Sequence, residues 1–468
     1  MAELQEPTLE EENADIEDVA FTGLSDEQIS FVVEHLDEGS PRDLEDFLNE
    51  LGPADFAELI EKLDMQHRVL FVETFADVIP PETFSHLEFD LRQSVLGKMP
   101  ALAVARIVND LESDDALDLV LSLDDDEFRT DVVQKLSYKV RAHVEEGLTF
   151  PEDSAGRLMQ REFVAIPQFW TVGKTIDYLR AAGQTLPQDF LDLFVVTPSY
   201  HVVGEVPLNR LVCAQRSEKI ESLARSDIHA ISADTDQEEV AMIFRREGLS
   251  SVPVIDSSDR LIGVITVDDV IDVIDEEAEE DILKLAGVED DDIHRSLWST
   301  TYSRFRWLFI NLFTAVLASY VISFFEAAID KVVALAVLMP IVASMGGNAG
   351  TQVMTVAVRA LATKDLTFGN AYRLLSKEVL VGLLNGVAFA IIAGCVTWFW
   401  FKDPLLGIVI SFAMVTNLVA AGFSGVAIPL VLQRMGADPA VSSTVFLTTV
   451  TDVVGFFVFL GLAAIVLL

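Results

Sequence analysis

Residues 404–433 read PLLGIVISFAMVTNLVAAGFSGVAIPLVLQ, a run of 30 residues without a charged side chain. Four further stretches hold at most one charge each and lie at 307–325, 332–358, 379–401 and 439–468. An α-helix rises about 1.5 Å per residue, so about 20 apolar residues cross the hydrocarbon of a bilayer. Because lipid offers the backbone no hydrogen-bond partners, each stretch must satisfy its own peptide groups. The C-terminal part of the chain is therefore predicted to form five membrane-spanning helices.

The rest of the chain is strongly acidic. Its first 300 residues hold 23 basic and 68 acidic side chains, whereas the residues from position 301 onward hold nine and seven. An acidic body repels phosphate, which excludes nucleic acid as a partner and leaves cations as the natural ones. The N-terminal MAELQEPTLEEENADIEDV has no basic start and no apolar core, so it is predicted to be a disordered acidic tail and not a signal peptide.

Basic residues are distributed unequally on the two sides of the predicted spans. The loops on one side carry only Lys331 and Lys402, each beside an acid. The other side carries Arg304, Arg306, Arg359, Lys364, Arg373, Lys377 and Arg434. The positive-inside rule therefore predicts that the N-terminal body is cytoplasmic and that the C-terminus lies outside.

Two polar features interrupt the apolar stretches. Asp452 lies about midway along the last one, where a bare carboxylate facing lipid costs at least about 2.5 kcal/mol. It is expected either to face a pore or to be protonated and bonded to a neighbouring helix. The segment MPIVASMGGNAGTQ (339–352) places a proline and three glycines at membrane depth. It fits either close helix packing or irregular backbone that lines a cavity. Asn417 is a further polar residue inside an apolar stretch, and it is weaker evidence than these two features.

Residues 24–145 follow a helical pattern. Short amphipathic units recur, with apolar residues at i, i+3, i+4 and i+7. They include LEDFLNELGPADFAELIEKL (44–63), ALAVARIVNDLESDDALDLVLSL (101–123) and DEFRTDVVQKL (126–136). Each unit would bury its apolar stripe on its neighbour, which predicts a small helical solenoid. Asp114, Asp115 and Asp118, read alone, are typical of a solvated helix face.

The next region contains an internal repeat. HVVGEVPLNRLV (201–212) and RLIGVITVDDVI (260–271) align at a constant offset of 59 residues. A repeat of this length, strand–strand–helix in each copy, resembles paired CBS domains, many of which bind adenine nucleotides. The second copy keeps the G-x-x-T-x-x-D ending, whose Thr266 and Asp269 make ATP a candidate ligand. The first copy has Pro207 and Arg210 at those two places, which counts against a nucleotide site there.

An acidic segment, DDVIDVIDEEAEEDILKLAGVEDDD (268–292), precedes the first span. Its acids recur at helical neighbour spacing, and like charges at that spacing destabilise a helix. Solvation alone, or a bound cation, would offset the repulsion. Because carboxylates are hard ligands and histidines and cysteines are few, the cation would be Mg²⁺ or Ca²⁺.

Taken together, the chain resembles the MgtE-type magnesium channels. The matching stretches are PEDSAG (151–156), DTDQEEVA (234–241), TVDDVIDVIDEEAEEDILKLAGV (266–288), GGNAGTQ (346–352) and TTVTDVVG (448–455). The resemblance implies a multidomain fold: an all-α helical solenoid N domain, an α/β CBS-domain pair, a connecting helix and an all-α membrane domain of five transmembrane helices. The expected boundaries are 1–23 for the acidic tail, then 24–150, 151–217, 218–277, 278–303 and 304–468.

The resemblance also implies roles for individual residues. Asp452 corresponds to a pore carboxylate that both protomers of a homodimer supply. The acids expected to bind regulatory Mg²⁺ are Asp114, Asp118, Asp236, Glu238, Asp269, Asp272, Glu277, Glu280, Asp281 and Asp438. Residues expected to line the pore are Asn348, Thr351, Thr444, Thr448 and Gly455. The chain departs from the family pattern at Gly248, where an acid is expected, and at Thr444 and Thr448.

The predicted function is that of a Mg²⁺-selective channel or transporter of the inner (plasma) membrane. Mg²⁺ bound between the N domain, the CBS pair and the 277–300 helix is expected to hold that helix over the pore mouth. When Mg²⁺ falls, carboxylate repulsion, about 3 kcal/mol for a pair about 5 Å apart, would free it. A transporter of Co²⁺ or another divalent cation, or a CBS-based sensor that transports nothing, are the alternatives. The sequence has no Walker, catalytic-triad or pump signature, so an enzyme is not expected.

Overall fold

The computed structural model describes residues 23–38, 41–183, 185–187, 190–225, 227–288, 297–367, 369–440 and 443–467. The chain divides into two compact units, Met1–Val273 and Ile274–Leu468, called here the soluble unit and the membrane unit. Except for Gly23, the predicted acidic tail lies outside the described residues.

Short helices form the N-terminal part of the soluble unit, as the amphipathic repeats predict. The helices begin at residues that interrupt the apolar pattern. Pro53 is the first residue of one helix. Asp64 caps the next helix, because its side chain accepts hydrogen bonds from the backbone N–H groups of Gln66 (2.8 Å) and His67 (3.1 Å). The helices are Asp26–Glu38, Pro41–Leu48, Pro53–Lys62, Met65–Phe75, Phe89–Leu96, Ala101–Asp110, Ser113–Leu121, Asp126–Lys135 and Tyr138–Gly147, with a 3₁₀ turn at Pro81–Phe84.

One apolar core joins these helices. Phe56 and Phe71 are fully buried in it. The buried Arg68 closes the end of the helix Pro53–Lys62, because its guanidinium donates to the carbonyl oxygens of Ile60 (2.7 Å) and Leu63 (2.8 Å). Carbonyl groups at a helix end have no partners within the helix, so this contact stabilises the break between two short helices.

Two three-stranded sheets of the same topology follow. In each, the first strand pairs in parallel with the second and the second pairs antiparallel with the third. The strands are β1 (Val164–Pro167), β2 (Asp192–Val196), β3 (Val202–Pro207), β4 (Ile231–Ser232), β5 (Ser251–Ile255) and β6 (Leu261–Thr266). Helices at Ala155–Leu158, Val172–Ala182, Leu208–Cys213, Ile220–Leu223 and Gln237–Glu247 accompany them.

Equivalent positions of the two copies touch each other. The Asp192 carboxylate accepts a hydrogen bond of 2.7 Å from the Ser251 hydroxyl, and His201 forms an isolated β-bridge with Arg260. Both pairs join residues 59 positions apart, which is the offset of the sequence repeat. A local two-fold axis therefore relates the copies, as expected of paired CBS domains.

A single helix, Val267–Ala286, carries most of the acidic segment and is called the connecting helix. The sequence predicts a separate connecting helix at 278–303, but no glycine or proline interrupts residues 267–286, and the helix is continuous with the end of the second CBS copy. It ends before Gly287, whose φ of +76° favours glycine. Residues 289–296 lie outside the described part of the chain.

The membrane unit contains five helices that are long and apolar enough to cross a membrane, which confirms the prediction. Spans 1 to 5 are Leu297–Ser323, Ala334–Ala362, Ala371–Phe401, Pro404–Arg434 and Ser443–Val466, and a short helix, Glu326–Lys331, joins the first two. Spans 3 and 4 have 31 residues each. At about 46 Å, such a helix is longer than the roughly 30 Å of hydrocarbon. Three basic residues expected in a loop lie in helical extensions: Arg359 at the end of span 2, and Arg373 and Lys377 at the start of span 3.

Span 2 remains α-helical through Pro340 and its three glycines, so the backbone is not irregular there. The glycines serve close packing. A side chain at Gly350 would meet Leu447 of span 5 at 2.8 Å, and one at Gly425 of span 4 would meet the Gly350 carbonyl oxygen at 2.9 Å. Spans 2, 4 and 5 thus approach one another through small residues.

Candidate ion path and regulatory sites

A polar face runs along span 5. Thr444, Thr448 and Asp452 recur every four residues and so share one side of the helix. Thr448 donates to the Thr444 carbonyl oxygen at 3.0 Å, so its hydroxyl is satisfied within the helix. The Asp452 carboxylate is partly exposed and has no hydrogen bond or ion pair to any residue that the structure describes. It is therefore open to a ligand.

Residues of span 2 face this side of span 5. A side chain at Gly347 would lie 4.0 Å from the Thr448 methyl group. In the same part of span 2, Asn348 is exposed, and the Thr351 hydroxyl donates to the Gly347 carbonyl oxygen at 3.0 Å. The structure thus brings together span 2 and span 5 positions that the sequence assigns to the pore. Gly455 differs, because it is buried against Asn417 of span 4.

No three histidine, cysteine or acidic side chains lie close enough to hold a metal ion in the described part of the chain. Mg²⁺ commonly keeps several of its waters and binds through one or two carboxylates. Single and paired acids therefore remain compatible with Mg²⁺, whereas a closed protein cage of the Ca²⁺ type is not found among the described residues.

In the soluble unit, acids of the N domain lie close to acids of the second CBS copy. The Ser113 hydroxyl, at the start of the helix Ser113–Leu121, donates to Glu162 at 2.7 Å and links this helix to the CBS region. Asp114 follows, with one carboxylate oxygen buried and without a hydrogen-bond partner among the described residues. The acids that interact electrostatically here are Glu112, Asp114, Asp115, Asp268 and Asp269, called the acid cluster.

Burial and mutual repulsion keep the acid cluster from ionising easily. Burial, followed by the charges of Asp269 and Asp115, raises the pKa of Asp114 well above its usual value. Although Glu112 keeps an exposed surface, partial burial and the carboxylates around it raise its pKa to about 7. Burial raises the pKa of Asp269 to about 6, even though Thr266 donates a hydrogen bond to it. A cation in this cluster would remove the repulsion.

Several predicted regulatory acids have other partners. The Asp118 carboxylate forms an ion pair of 2.6 Å with the guanidinium of the buried Arg92. Asp236 caps the helix Gln237–Glu247, because its side chain accepts from the backbone of Glu238 at 2.9 Å. The side chains of Glu238 and Asp272 are exposed, and that of Glu277 is half-buried.

A lysine lies among the acids at the end of the connecting helix. Lys284 Nζ is 2.5 Å from Glu280 Oε1 and 2.8 Å from Asp438 Oδ2. Burial opposes protonation, but these two carboxylates outweigh it and raise the pKa of Lys284. Burial and the nearby Asp438 raise the pKa of Asp281. A single ammonium group thus bridges Glu280 and Asp438, two positions at which Mg²⁺ is expected from the sequence, and offsets one of their two negative charges.

The same end of the connecting helix is attached to the spans. The Thr444 hydroxyl donates to the Leu285 carbonyl oxygen at 2.9 Å. The Leu285 side chain packs in an apolar cluster with Met354 and Leu447, which belong to spans 2 and 5. The connecting helix therefore ends on the two helices that carry the predicted pore residues.

The nucleotide prediction rests on Thr266 and Asp269. The Thr266 hydroxyl donates to Asp269 Oδ2 at 2.6 Å, and Gln160 Nε2 lies 3.4 Å from the same hydroxyl. The two residues therefore bond to each other, and Asp269 also belongs to the acid cluster.

Sequence reasoning missed three contributors to these sites. Glu112 and Asp268 lie within two residues of Asp114 and Asp269, which the sequence predicts to bind Mg²⁺, so their position in the sequence is enough to identify them as candidates. Lys284 follows Glu280 by four residues, an ordinary helical ion-pair spacing, but nothing local in sequence relates it to Asp438.

Comparisons with known proteins agree with this architecture. The family model described as "MgtE: Divalent cation transporter" matches residues 339–462, that of the MgtE intracellular N domain matches 51–153, and that of the CBS domain matches 220–276. The chain is 32% identical over 443 residues to "Magnesium transporter MgtE" of Thermus thermophilus, which covers 93% of this chain and 97% of that protein.

The chain belongs to the MgtE family of magnesium transporters.

A second MgtE relative, "Magnesium transporter MgtE" of Bacillus subtilis, is 29% identical over 439 residues, which is 94% of this chain and 97% of that protein. A solved structure, described as the cytosolic domain of the Mg²⁺ channel MgtE in complex with ATP, is 29% identical and covers 52% of this chain and 99% of that one, with a TM-score of 0.48. The MgtE family is a family of transporters, which is not a class of enzymes.

Proposed function

We propose that the chain transports Mg²⁺ across the inner (plasma) membrane and that Asp452 is the acid that the ion meets on its way. The observation that carries the proposal is the Asp452 carboxylate midway along span 5, which has no partner among the described residues and shares a face with Thr444 and Thr448. The family relatives named as magnesium transporters support the identity of the ion.

Asp452 would act on a hydrated ion. Mg²⁺ gives up its waters reluctantly, so a carboxylate that holds it through water attracts the ion without trapping it. We propose a homodimer in which two Asp452 side chains face each other across the two-fold axis. Asn348 and Thr351 of span 2, with Thr444 and Thr448 of span 5, would line the path. Gly455 would then contribute through close helix packing.

Cytoplasmic Mg²⁺ would close this path through the soluble unit. The acid cluster is the best-supported site, because its raised pKa values, and an Asp114 oxygen without a partner among the described residues, indicate carboxyl groups that lack a counter-ion for their ionised form. A Mg²⁺ ion there would hold the N domain against the second CBS copy. Asp118, Asp236, Glu238, Asp272, Glu277 and Asp281 remain proposed regulatory positions.

We propose a different role for Glu280 and Asp438. Lys284 bridges the two carboxylates and offsets one of their two charges, so this contact forms without a metal. The ion pairs of Lys284 would keep the end of the connecting helix on the cytoplasmic ends of spans 2 and 5. In this orientation the N-terminal domains lie in the cytoplasm and the C-terminus lies outside. ATP at Thr266 and Asp269 would add a second input to the same cluster.

The test of the proposed function is Mg²⁺ uptake into liposomes that contain the purified full chain. Wild-type protein is expected to carry Mg²⁺, and Asp452→Asn to carry almost none while it remains folded and monodisperse. Glu326→Gln, which removes an exposed acid from the short helix between spans 1 and 2, is the matched control and should transport normally. Wild-type uptake by Asp452→Asn would exclude this carboxylate from the path.

A further inference from the structure

Asn417 is a fully buried amide in the middle of the membrane unit. Its side chain is 0% exposed, and its Nδ2 donates to the Val342 carbonyl oxygen of span 2 at 2.8 Å. A carbonyl oxygen only accepts hydrogen bonds, so the NH₂ group must face Val342. The amide oxygen, Oδ1, is buried and has no hydrogen-bond partner among the described residues.

Two glycines make room for this amide. A side chain at Gly346 of span 2 would overlap the Asn417 amide, and one at Gly455 of span 5 would lie 2.8 Å from Asn417 Nδ2. Asn417 therefore occupies a gap that spans 2 and 5 leave only because neither has a side chain there. Any larger group on either helix would push span 4 away.

Packing alone does not explain an amide at this place. An apolar side chain of similar volume would fill the gap without leaving a buried oxygen unpaired, and an unpaired polar atom in an apolar environment is unfavourable. The amide offers a directed hydrogen bond to a fixed point of span 2, which an apolar side chain cannot supply.

Gly455 lies one helical turn after Asp452 on span 5, and Gly346 directly precedes Gly347, the residue of span 2 that faces Thr448. The Asn417 amide, which lies between Gly346 and Gly455, sets the separation of these two glycines. It therefore also sets the distance between the Asp452 carboxylate and span 2. An error of about 1 Å in such a distance is enough to impair a site that recognises an ion.

We propose that Asn417 is a positioning residue for ion recognition: it ties span 2 to the Asp452-bearing turn of span 5 through span 4. The proposal rests on the proposed function, since it takes Asp452 as the acid in the ion path. Asn417 itself need not touch the ion.

The test compares Asn417→Val with a matched variant in liposomes containing the full-length protein. Asn417→Val removes the donor without adding bulk. Ser411→Ala on the same span removes another hydrogen bond between helices, from the Ser411 hydroxyl to the Ala390 carbonyl oxygen of span 3 (2.8 Å). Uptake is measured against external Mg²⁺ concentration and with Co²⁺ as a competing ion.

Asn417→Val is expected to raise the half-saturating Mg²⁺ concentration and to change the Mg²⁺-to-Co²⁺ uptake ratio by about fivefold or more. Ser411→Ala should leave both quantities as in wild type. If Asn417→Val does not fold, Gly346→Ala, which displaces the same amide, is expected to shift both quantities in the same direction.

The proposal would be overturned if folded Asn417→Val kept the wild-type half-saturating Mg²⁺ concentration and Mg²⁺-to-Co²⁺ uptake ratio. It would also be overturned if Ser411→Ala shifted both quantities by as much as Asn417→Val does. The result for Asp452→Asn separates the two claims. If Asp452→Asn abolishes uptake while Asn417→Val is normal, only the positioning role fails. If Asp452→Asn transports normally, the proposed path itself is wrong.

Discussion

At the scale of single residues, environment distinguishes carboxylates that look alike in sequence. Asp118 has a buried arginine as its partner, Asp236 caps a helix, and one oxygen of Asp114 has no partner among the described residues. A carboxylate with a partner gains little from a metal ion. The acids of the cluster gain most, because a divalent cation offsets both their burial cost and their mutual repulsion.

The acid cluster predicts a pH dependence for Mg²⁺ regulation. The pKa values of Glu112 (about 7) and Asp269 (about 6) are raised, so the folded protein binds more protons than the unfolded chain as the pH falls below about 7. Mg²⁺ must displace those protons. The Mg²⁺ concentration that half-protects the full-length protein from limited proteolysis is therefore expected to rise on the order of tenfold from pH 7.5 to pH 5.5.

The raised pKa values also predict how the stability of the metal-free protein depends on pH. Because the folded state binds more protons than the unfolded chain, its free energy of unfolding is expected to fall as the pH rises from about 5 to about 8. The triple variant Glu112→Gln/Asp114→Asn/Asp269→Asn should flatten both trends. Asp126→Asn, which changes a highly exposed acid of the N domain, should leave them as in wild type. A pH trend that persists in the triple variant would assign it to other groups.

At the scale of elements, the connecting helix links two chemically different ends. Its first turn carries Asp268 and Asp269, which belong to the acid cluster, and its last turn carries Lys284. We propose that the first end takes an added cation, whereas at the last end Lys284 already offsets part of the charge of Glu280 and Asp438. We therefore expect regulation by metal at the first end and metal-independent attachment at the last.

Substitution of Lys284 tests this division. Lys284→Gln removes a partly buried ion pair worth about 1 kcal/mol, which shifts a two-state gate by about fivefold. Mg²⁺ uptake at high cytoplasmic Mg²⁺ is expected to rise by that factor, while uptake at low Mg²⁺ stays unchanged. Lys364→Gln, which changes an exposed lysine just after span 2, is the control with no expected effect. A loss of Mg²⁺ binding in Lys284→Gln, without a change in the closed-state flux, would contradict the attachment.

Elements were largely predictable from sequence, but contacts between them were not. Uncharged stretches locate the five spans because burial in lipid excludes charge, and the 59-residue offset relates β3 to β6. The end of span 2 and the start of span 3 were misjudged because a helix continues into water where charged side chains do not stop it. Asn417 and Val342, or Lys284 and Asp438, meet only through the packing of distant helices, which no local pattern records.

At the scale of the whole molecule, the charge is divided between the strongly acidic first 300 residues and the nearly neutral residues from position 301 onward. We propose that the first measures cytoplasmic Mg²⁺ by the repulsion that the ion relieves. The second would pass the ion at Asp452. A mechanism of this kind needs only a few carboxylate pairs, because several kcal/mol suffice to switch a two-state equilibrium.

The most direct test of this account is the Mg²⁺ current through excised liposome patches that contain the wild-type chain, with the N-terminal domains facing the bath. Current is expected at micromolar bath Mg²⁺ and should fall by about tenfold or more at millimolar bath Mg²⁺. A patch that carries no Mg²⁺ current under any condition, or a current indifferent to bath Mg²⁺, would contradict the account.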